Sequence, residues 1–369
     1  MFDDVFPSFK LVDYNEYFNL QTIEDSKVTE LLSKTYLDFT DFLILLSPAI
    51  KTHLPKILAK AAELTTQLFG NTVQLYTPLY LSNECINSCV YCGFNCKEII
   101  ERKTLSPAEY SLELEYIKSL GFDNLLLLTG EHPTTAGVDY LSKAIIKAKN
   151  LFSYVALEIF PCKEKEYAIL TNSGADGLTL YQETYNSELY KKYHGKGPKS
   201  NFIGRLNSPE VAIQAGFRKI GLGVLLGLST WREDVACLGL HASYIIKKYW
   251  KTEVSLSFPR IKNSFSFLYP VETLDFIQII CAFRLFLPHV ALTLSTREPD
   301  YIRDFLVNYG ITQISAGSKT NPGGYSKSVS SGNQFETTDK RSLSDIMQML
   351  KQKNIDPVIK DWSRVFSAP

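Results

Sequence analysis

The chain carries no excess of charge of either sign. Its 369 residues include 39 Lys and Arg against 39 Asp and Glu, a formal net charge of zero. That balance excludes the strong one-sign field that draws a protein to nucleic acid or an anionic membrane, so neither is expected as a partner. Long hydrophobic runs are lacking too, and none is long enough to span a bilayer. The start, Met1-Phe-Asp-Asp-Val5, is acidic and has neither the basic region of a secretory signal nor the arginines of a transit peptide; a cytoplasmic protein is expected. Histidine is scarce, with five in all, and no two stand at the helix-face spacing that binds a metal. His132 and His194 occur in polar contexts and read as solvated or hydrogen-bonded groups. No serine nucleophile elbow and no phosphate-binding loop occur. The run Gly221-Leu-Gly223-Val-Leu-Leu-Gly227 has the wrong glycine spacing for a dinucleotide fingerprint. The seven cysteines are odd in number and clustered, which argues against a disulfide scaffold and for a reducing compartment.

What is present is a cysteine loop. Cys85, Cys89 and Cys92 lie within Cys85-Ile-Asn-Ser-Cys89-Val-Tyr91-Cys92-Gly-Phe94. A loop this short brings its sulfurs to one metal centre. Three thiolates leave one iron of a four-iron cluster without a protein ligand, and an open iron can bind a small molecule and pass it an electron. Cys96 keeps two closed alternatives in play, a four-thiolate zinc site and a closed electron-transfer cluster. Zinc sites usually pair two Cys-x-x-Cys knuckles across a longer insert, a form not found here.

Short β-rich apolar runs alternate with helical-period segments from Val73 onward. The predicted strands are 73–81, 124–129, 154–160, 177–182, 218–222, 253–258, 291–295 and 312–316. The predicted helices are 107–120, 138–147, 163–172, 209–216, 231–249, 271–287 and 298–309. Nearly continuous apolar strands, each followed by a helix, imply a parallel sheet covered by helices. Eight such units imply an α/β fold of the (β/α)8 TIM-barrel type, with chemistry at the C-terminal strand ends; a doubly wound open sheet is the alternative. Residues 1–71 read as an N-terminal helical extension, 72–335 as the barrel, and 336–369 as a C-terminal helical tail. The loop 315–335, rich in Gly, Ser and Asn, reads as a lid or as flexible surface.

Several polar residues fall at predicted strand ends. Gly130 and Glu131 follow the second strand; a glycine there permits close backbone approach, and the carboxylate can accept from an ammonium. Glu158 stands inside the third strand, where an unpaired charge is costly, so it is either a site residue or half of a structural ion pair. Glu183 and Arg205 together suit the ammonium and carboxylate of an amino acid. The glycines at 223–227 would admit a flat base. Arg260 follows the sixth strand, and Ser295-Thr-Arg297 the seventh.

Taken together, the sequence resembles the radical S-adenosylmethionine (SAM) superfamily. The match rests on Cys85, Cys89, Tyr91 and Cys92 in Cys-x3-Cys-x2-Cys spacing. Within it the chain is similar to the 2-iminoacetate synthase family of tyrosine lyases, through Pro78–Phe94, Leu128–His132, Tyr181–Tyr185, His194–Pro198, Ser257–Arg260 and Ser315–Tyr325. The resemblance implies that Cys85, Cys89 and Cys92 hold a [4Fe–4S] cluster whose fourth iron binds SAM, and that Cys96 stands aside. It implies that Gly130 and Glu131 meet the SAM ammonium, Glu183 and Arg205 grip its methionyl part, and Tyr91 with Val224 and Leu225 lines the adenine. Glu158 is grouped with these cofactor-binding residues. Tyr80, Arg260 and Ser295 are implied for an amino-acid substrate, Arg260 as the anchor of its carboxylate. The implied reaction splits the Cα–Cβ bond of L-tyrosine to 2-iminoacetate and p-cresol, for the thiazole of thiamine. A flavodoxin- or ferredoxin-type reductant and a complex with thiazole synthase are implied partners. A tryptophan-type lyase and a non-catalytic iron–sulfur or zinc protein are the alternatives. The last cysteine is Cys281, so no second, C-terminal cluster of the hydrogenase-maturation type is expected.

Overall fold

A computed structural model describes residues 1–10, 14–261, 268–326 and 331–360, with backbone alone at 8–10. Five helices come first: α1 (Phe2–Lys10), α2 (Asn15–Phe18), α3 (Asp25–Ser33), α4 (Phe39–Leu46) and α5 (Leu54–Phe69). The barrel follows as β1 (Thr72–Ser82), α6 (Pro107–Ser119), β2 (Asn124–Thr129), α7 (Val138–Lys149), β3 (Tyr154–Glu158), α8 (Glu164–Asn172) and β4 (Gly177–Thr179). Then come α9 (Ser187–Tyr193), α10 (Phe202–Gln214), β5 (Lys219–Gly223), α11 (Trp231–Lys248), β6 (Glu253–Ser257), α12 (Thr273–Phe286), β7 (Ala291–Leu294), α13 (Asp300–Leu306) and β8 (Gln313–Ser315).

All pairings in the sheet are parallel, and β1 closes it by pairing with both neighbours. Leu79 stands opposite Leu127 on β2, and Tyr76 opposite Ser315 on β8. Closure leaves no open edge among β1–β8, which rules out the doubly wound alternative. Every expected strand is present. Residues 336–360 hold α14 (Leu343–Gln352) and then a short strand, β9 (Asp356–Val358), beside Thr72–Gln74 of β1; the tail is therefore not purely helical. Its residues 361–369 lie outside the described part.

Local signals explain most boundaries. Ser106 and Glu109 form a capping box at the start of α6, with Pro107 in its first turn. One expected boundary is wrong. The helix predicted to begin at Pro209 begins at Phe202, because the Asn201 side chain caps it by accepting from Gly204 N at 2.9 Å. Pro209 is tolerated inside α10. Arg205 is consequently a residue of α10, not of a loop or strand end.

The N-terminal helices form an added layer on the barrel's outer helices. Phe42 of α4 stacks on Phe286 of α12 at 4.3 Å between ring centroids. A Cβ on Gly239 of α11 would lie 2.4 Å from the Phe42 ring, so the glycine makes room for it. Gln278 donates to the carbonyls at the C-terminal end of α4, Leu45 and Ser47. Among the described residues no single helix is long and apolar enough to cross a membrane; the segments Phe39–Leu46 and Pro48–Phe69 pass such a test only as a pair, bent by 77°.

Candidate active site

The C-terminal ends of the strands surround a cavity of about 1330 Å3, counted out to solvent. Cys85, Cys89 and Cys92 line it; Cys96 is exposed and does not. The loop after β1 is held by its own backbone and by β2. Gly130 N donates to Ser82 O, and Ile86 N to Glu131 O, both at 2.9 Å. A Cβ on Gly130 would fall 2.3 Å from Glu84 O. The glycine at this strand end thus lets the cysteine loop approach, a packing reason that the sequence reading assigned to a ligand. Asn87 donates to Glu131 at 2.6 Å, fixing the carboxylate at the rim, and lies 3.7 Å from Cys85 Sγ. Phe94 N points at Cys92 Sγ at 3.4 Å. Burial pushes the Cys89 thiol up to about 12 and also raises Cys92. A bound cation reverses that preference and deprotonates coordinating thiols outright. Among the described residues no three His, Cys, Asp or Glu side chains converge on one single-ion position. A multi-iron cluster needs no such point, since its thiolates bind separate irons.

Glu183, Lys199 and Arg205 form a charged group beside the cysteine loop, where Lys199 N donates to Asn87 Oδ1 at 2.9 Å. Lys199 Nζ lies 2.6 Å and Arg205 Nη2 3.6 Å from Glu183 Oε1. Burial alone would raise the Glu183 carboxyl, but the two cations outweigh it and hold it below the usual range. Glu183 has φ +72°, a left-handed conformation uncommon for a non-glycine residue. Asp234, from the first turn of α11, secures the turn by accepting from Thr184 Oγ1 at 2.9 Å and Tyr185 N at 2.7 Å. Arg205 Nε donates to Tyr181 O at 2.6 Å.

Tyr91 lines the cavity and donates to His194 Nε2 at 2.7 Å. That direction follows because His194 Nδ1 donates to the Tyr190 carbonyl at 2.7 Å, and burial keeps the ring neutral by lowering its pKa to about 3. Tyr80 lines the cavity and donates to Gln334 at 2.7 Å. Glu158, Ser295 and Leu225 also face the cavity.

Two expected site residues do not. Val224 is fully buried in the main core, because its neighbour Leu225 takes the inward direction. Arg260 turns away: it is bidentate to Glu298, donates to Val271 O at 3.2 Å and lies over the Phe276 ring. Its charge is spent on a glutamate that is 1% exposed, so it is not positioned for a substrate carboxylate. Arg297 lines the cavity instead, its guanidinium 3.5 Å from the centre of the Phe335 ring. Gly223 is not bare either, since a Cβ there would meet the Tyr181 ring at 2.5 Å. The stretch 315–335 folds over the mouth in its described parts. Gly93 N donates to Gln334 O at 3.0 Å, and Gln334 and Phe335 line the cavity.

Sequence reasoning assigned no role to Asn87, Lys199, Arg297 or Gln334. Asn87 was inside the cysteine loop, and Lys199 directly follows the His194–Pro198 stretch, so adjacency was an available signal. Gln334 had none. A second cavity opens at the N-terminal end of the barrel, lined in part by Gln74, Thr179, Thr293 and Gln313, and holds none of the expected residues.

A parallel (β/α)8 barrel with three cysteines in its first loop defines the radical SAM class. The family model of the Radical SAM superfamily matches residues 79–236, and that of the Biotin and Thiamin Synthesis associated domain matches residues 261–356. The 2-iminoacetate synthases of Salmonella typhimurium and Escherichia coli are each 41% identical over 339 residues, 91% of this chain and 90% of theirs. The X-ray structure of the FeFe-hydrogenase maturase HydG from Carboxydothermus hydrogenoformans superposes with a TM-score of 0.84 at 32% identity, covering 92% of this chain and 80% of that one. The chain belongs to the 2-iminoacetate synthase family of radical SAM enzymes. Its cofactors are those of the superfamily, a [4Fe–4S] cluster and SAM.

The residues present fit that pair. Three thiols facing one cavity match a cluster with an open iron, and the net positive group of Glu183, Lys199 and Arg205 matches an amino acid's charged end.

Proposed function

We propose that this chain is a tyrosine lyase that splits the Cα–Cβ bond of L-tyrosine into 2-iminoacetate and p-cresol. The observation that carries the reading is one cavity lined together by the three cysteines, Arg297 and the Glu183–Lys199–Arg205 group. When bound, the cluster and SAM supply a 5′-deoxyadenosyl radical after one-electron reduction. The chain's own residues do the rest. Cys85, Cys89 and Cys92 hold the cluster. Arg205 and Lys199 take the SAM carboxylate, while Glu131 and Glu183 face its ammonium. Arg297 holds the tyrosine carboxylate through a bidentate fork, the role expected of Arg260. Tyr80, Gln334 and Phe335 line the same cavity and exclude water, keeping the reacting groups in register.

A flavodoxin- or ferredoxin-type protein is the proposed electron donor. The unstable 2-iminoacetate goes to thiazole synthase for the thiazole of thiamine, and the chain's seven free cysteines suit a reducing cytoplasm. The test is anaerobic reconstitution with iron and sulfide, followed by reductant, SAM and tyrosine. 5′-Deoxyadenosine and p-cresol should appear together. 5′-Deoxyadenosine without p-cresol, with p-cresol absent across all tyrosine concentrations, would overturn the substrate assignment.

A further inference from the structure

We infer that Glu158 is the catalytic base that takes a proton from the substrate ammonium. The inference rests on the tyrosine-lyase reading and extends it to a step that reading leaves without a residue. The products require such a step. The tyrosine nitrogen enters with three hydrogens and leaves in 2-iminoacetate with one. One departs as a hydrogen atom to the deoxyadenosyl carbon; the other must depart as a proton, leaving its bonding pair on nitrogen. A proton acceptor is therefore needed within reach of the amine. The benzylic fragment released by the Cα–Cβ break keeps the odd electron and becomes p-cresol by taking one further electron from the flavodoxin- or ferredoxin-type donor and one proton.

The cavity offers three carboxylates near its charged groups. Glu131 is engaged by Asn87, and Glu183 by Lys199 and Arg205. Glu158 is different. It ends β3, between Leu128 of β2 and Thr179 of β4, and its side chain enters the cavity. Among the described residues no hydrogen bond or ion pair reaches its carboxylate. An unpartnered carboxylate inside a barrel is costly, and a substrate ammonium supplies the missing partner. Arg297 lines the same cavity after β7, so one amino acid can give its carboxylate to Arg297 and its ammonium to Glu158.

The groups whose charges bear on Glu158 are Tyr76 and Tyr80 of β1, Tyr181 and Glu183 after β4, Lys199, Arg205 of α10, and Arg297. Burial first and the Glu183 charge second raise the carboxyl to about 7 against the pull of the cations. A base poised near neutrality suits proton transfer at working pH. The proton breaks from nitrogen, binds a Glu158 oxygen, and is lost to water when the products leave.

The experiment compares wild type, Glu158→Gln and Glu158→Asp as reconstituted enzymes. In wild type, p-cresol formation should fall as the pH drops through about 7, where the carboxylate is protonated and cannot accept. Glu158→Gln should lower p-cresol formation by at least about 100-fold and abolish that limb, with 5′-deoxyadenosine now exceeding p-cresol. Glu158→Asp should keep the limb at a reduced rate. Equilibrium tyrosine affinity should weaken in Glu158→Gln by about tenfold, through the lost charge-assisted pair, while SAM affinity and the cluster spectrum stay as in wild type. Glu158→Gln with a wild-type rate and limb would overturn the inference. So would a parallel loss of SAM affinity, which would return Glu158 to the cofactor. Wild-type enzyme that makes no p-cresol would instead sink the tyrosine-lyase reading itself.

Discussion

Replacing Arg205 by alanine should weaken SAM binding and leave tyrosine binding intact. One carboxylate and two cations, Glu183, Lys199 and Arg205, leave a net single positive charge for an incoming carboxylate. Arg205 is 8% exposed, so its interactions are poorly screened. Truncating one partner of a desolvated charge pair costs about 2–5 kcal/mol. Lys199 remains 2.6 Å from Glu183 in the variant and keeps that carboxylate compensated, which favours the lower half of the range. A loss of about 2–3 kcal/mol is roughly 30- to 150-fold in the SAM Kd. Arg205→Lys should fall between the two, because it keeps the charge but not the Nε donor that holds Tyr181 O at 2.6 Å. The assay is calorimetric titration of the reconstituted protein with SAM and, separately, with tyrosine in the presence of SAM. An unchanged SAM Kd with a weakened tyrosine Kd would refute the assignment of this charged group to the cofactor.

Cys96→Ala should retain the cluster absorption spectrum and activity, since Cys96 is exposed and off the cavity, whereas Cys89→Ala should lose both. A Cys96→Ala protein unable to assemble a cluster would favour a closed site. Arg260→Ala should lower stability by about 3 kcal/mol by stranding the buried Glu298, with tyrosine affinity unchanged in the folded protein; denaturant titration and ligand binding read the two effects separately. Arg297→Ala should do the reverse, leaving the cluster spectrum and SAM affinity intact while tyrosine affinity falls. Asp234→Ala should weaken SAM more than tyrosine by releasing the Glu183 turn, at about 1 kcal/mol for each of its two hydrogen bonds, and Asp234→Asn should rescue the binding because its amide oxygen still accepts.

The sequence by itself determined the class and many of the residues that gather at the barrel mouth. Cysteine spacing is a local property, because a loop of eight residues cannot separate its thiols, so Cys85, Cys89 and Cys92 were legible without a fold. Eight apolar runs with helices between them implied a barrel, and chain order then put Gly130, Glu131, Glu158 and Glu183 at one mouth. What only the tertiary structure decided were the pairings between side chains far apart in the chain. Arg260 and Arg297 look equivalent in sequence, each an arginine just past a strand; Glu298, 38 positions beyond Arg260, consumes the first and leaves the second on the cavity wall. Lys199 became visible only when a loop returned it to Glu183, and Gln334 only when its carbonyl met Gly93 N. Val224 and Leu225 differ by one position and therefore point in opposite directions, a choice fixed by the sheet's register, not by residue type. Local spacing sets which groups can share a metal. Long-range packing sets which charged groups line the cavity and which turn away from it.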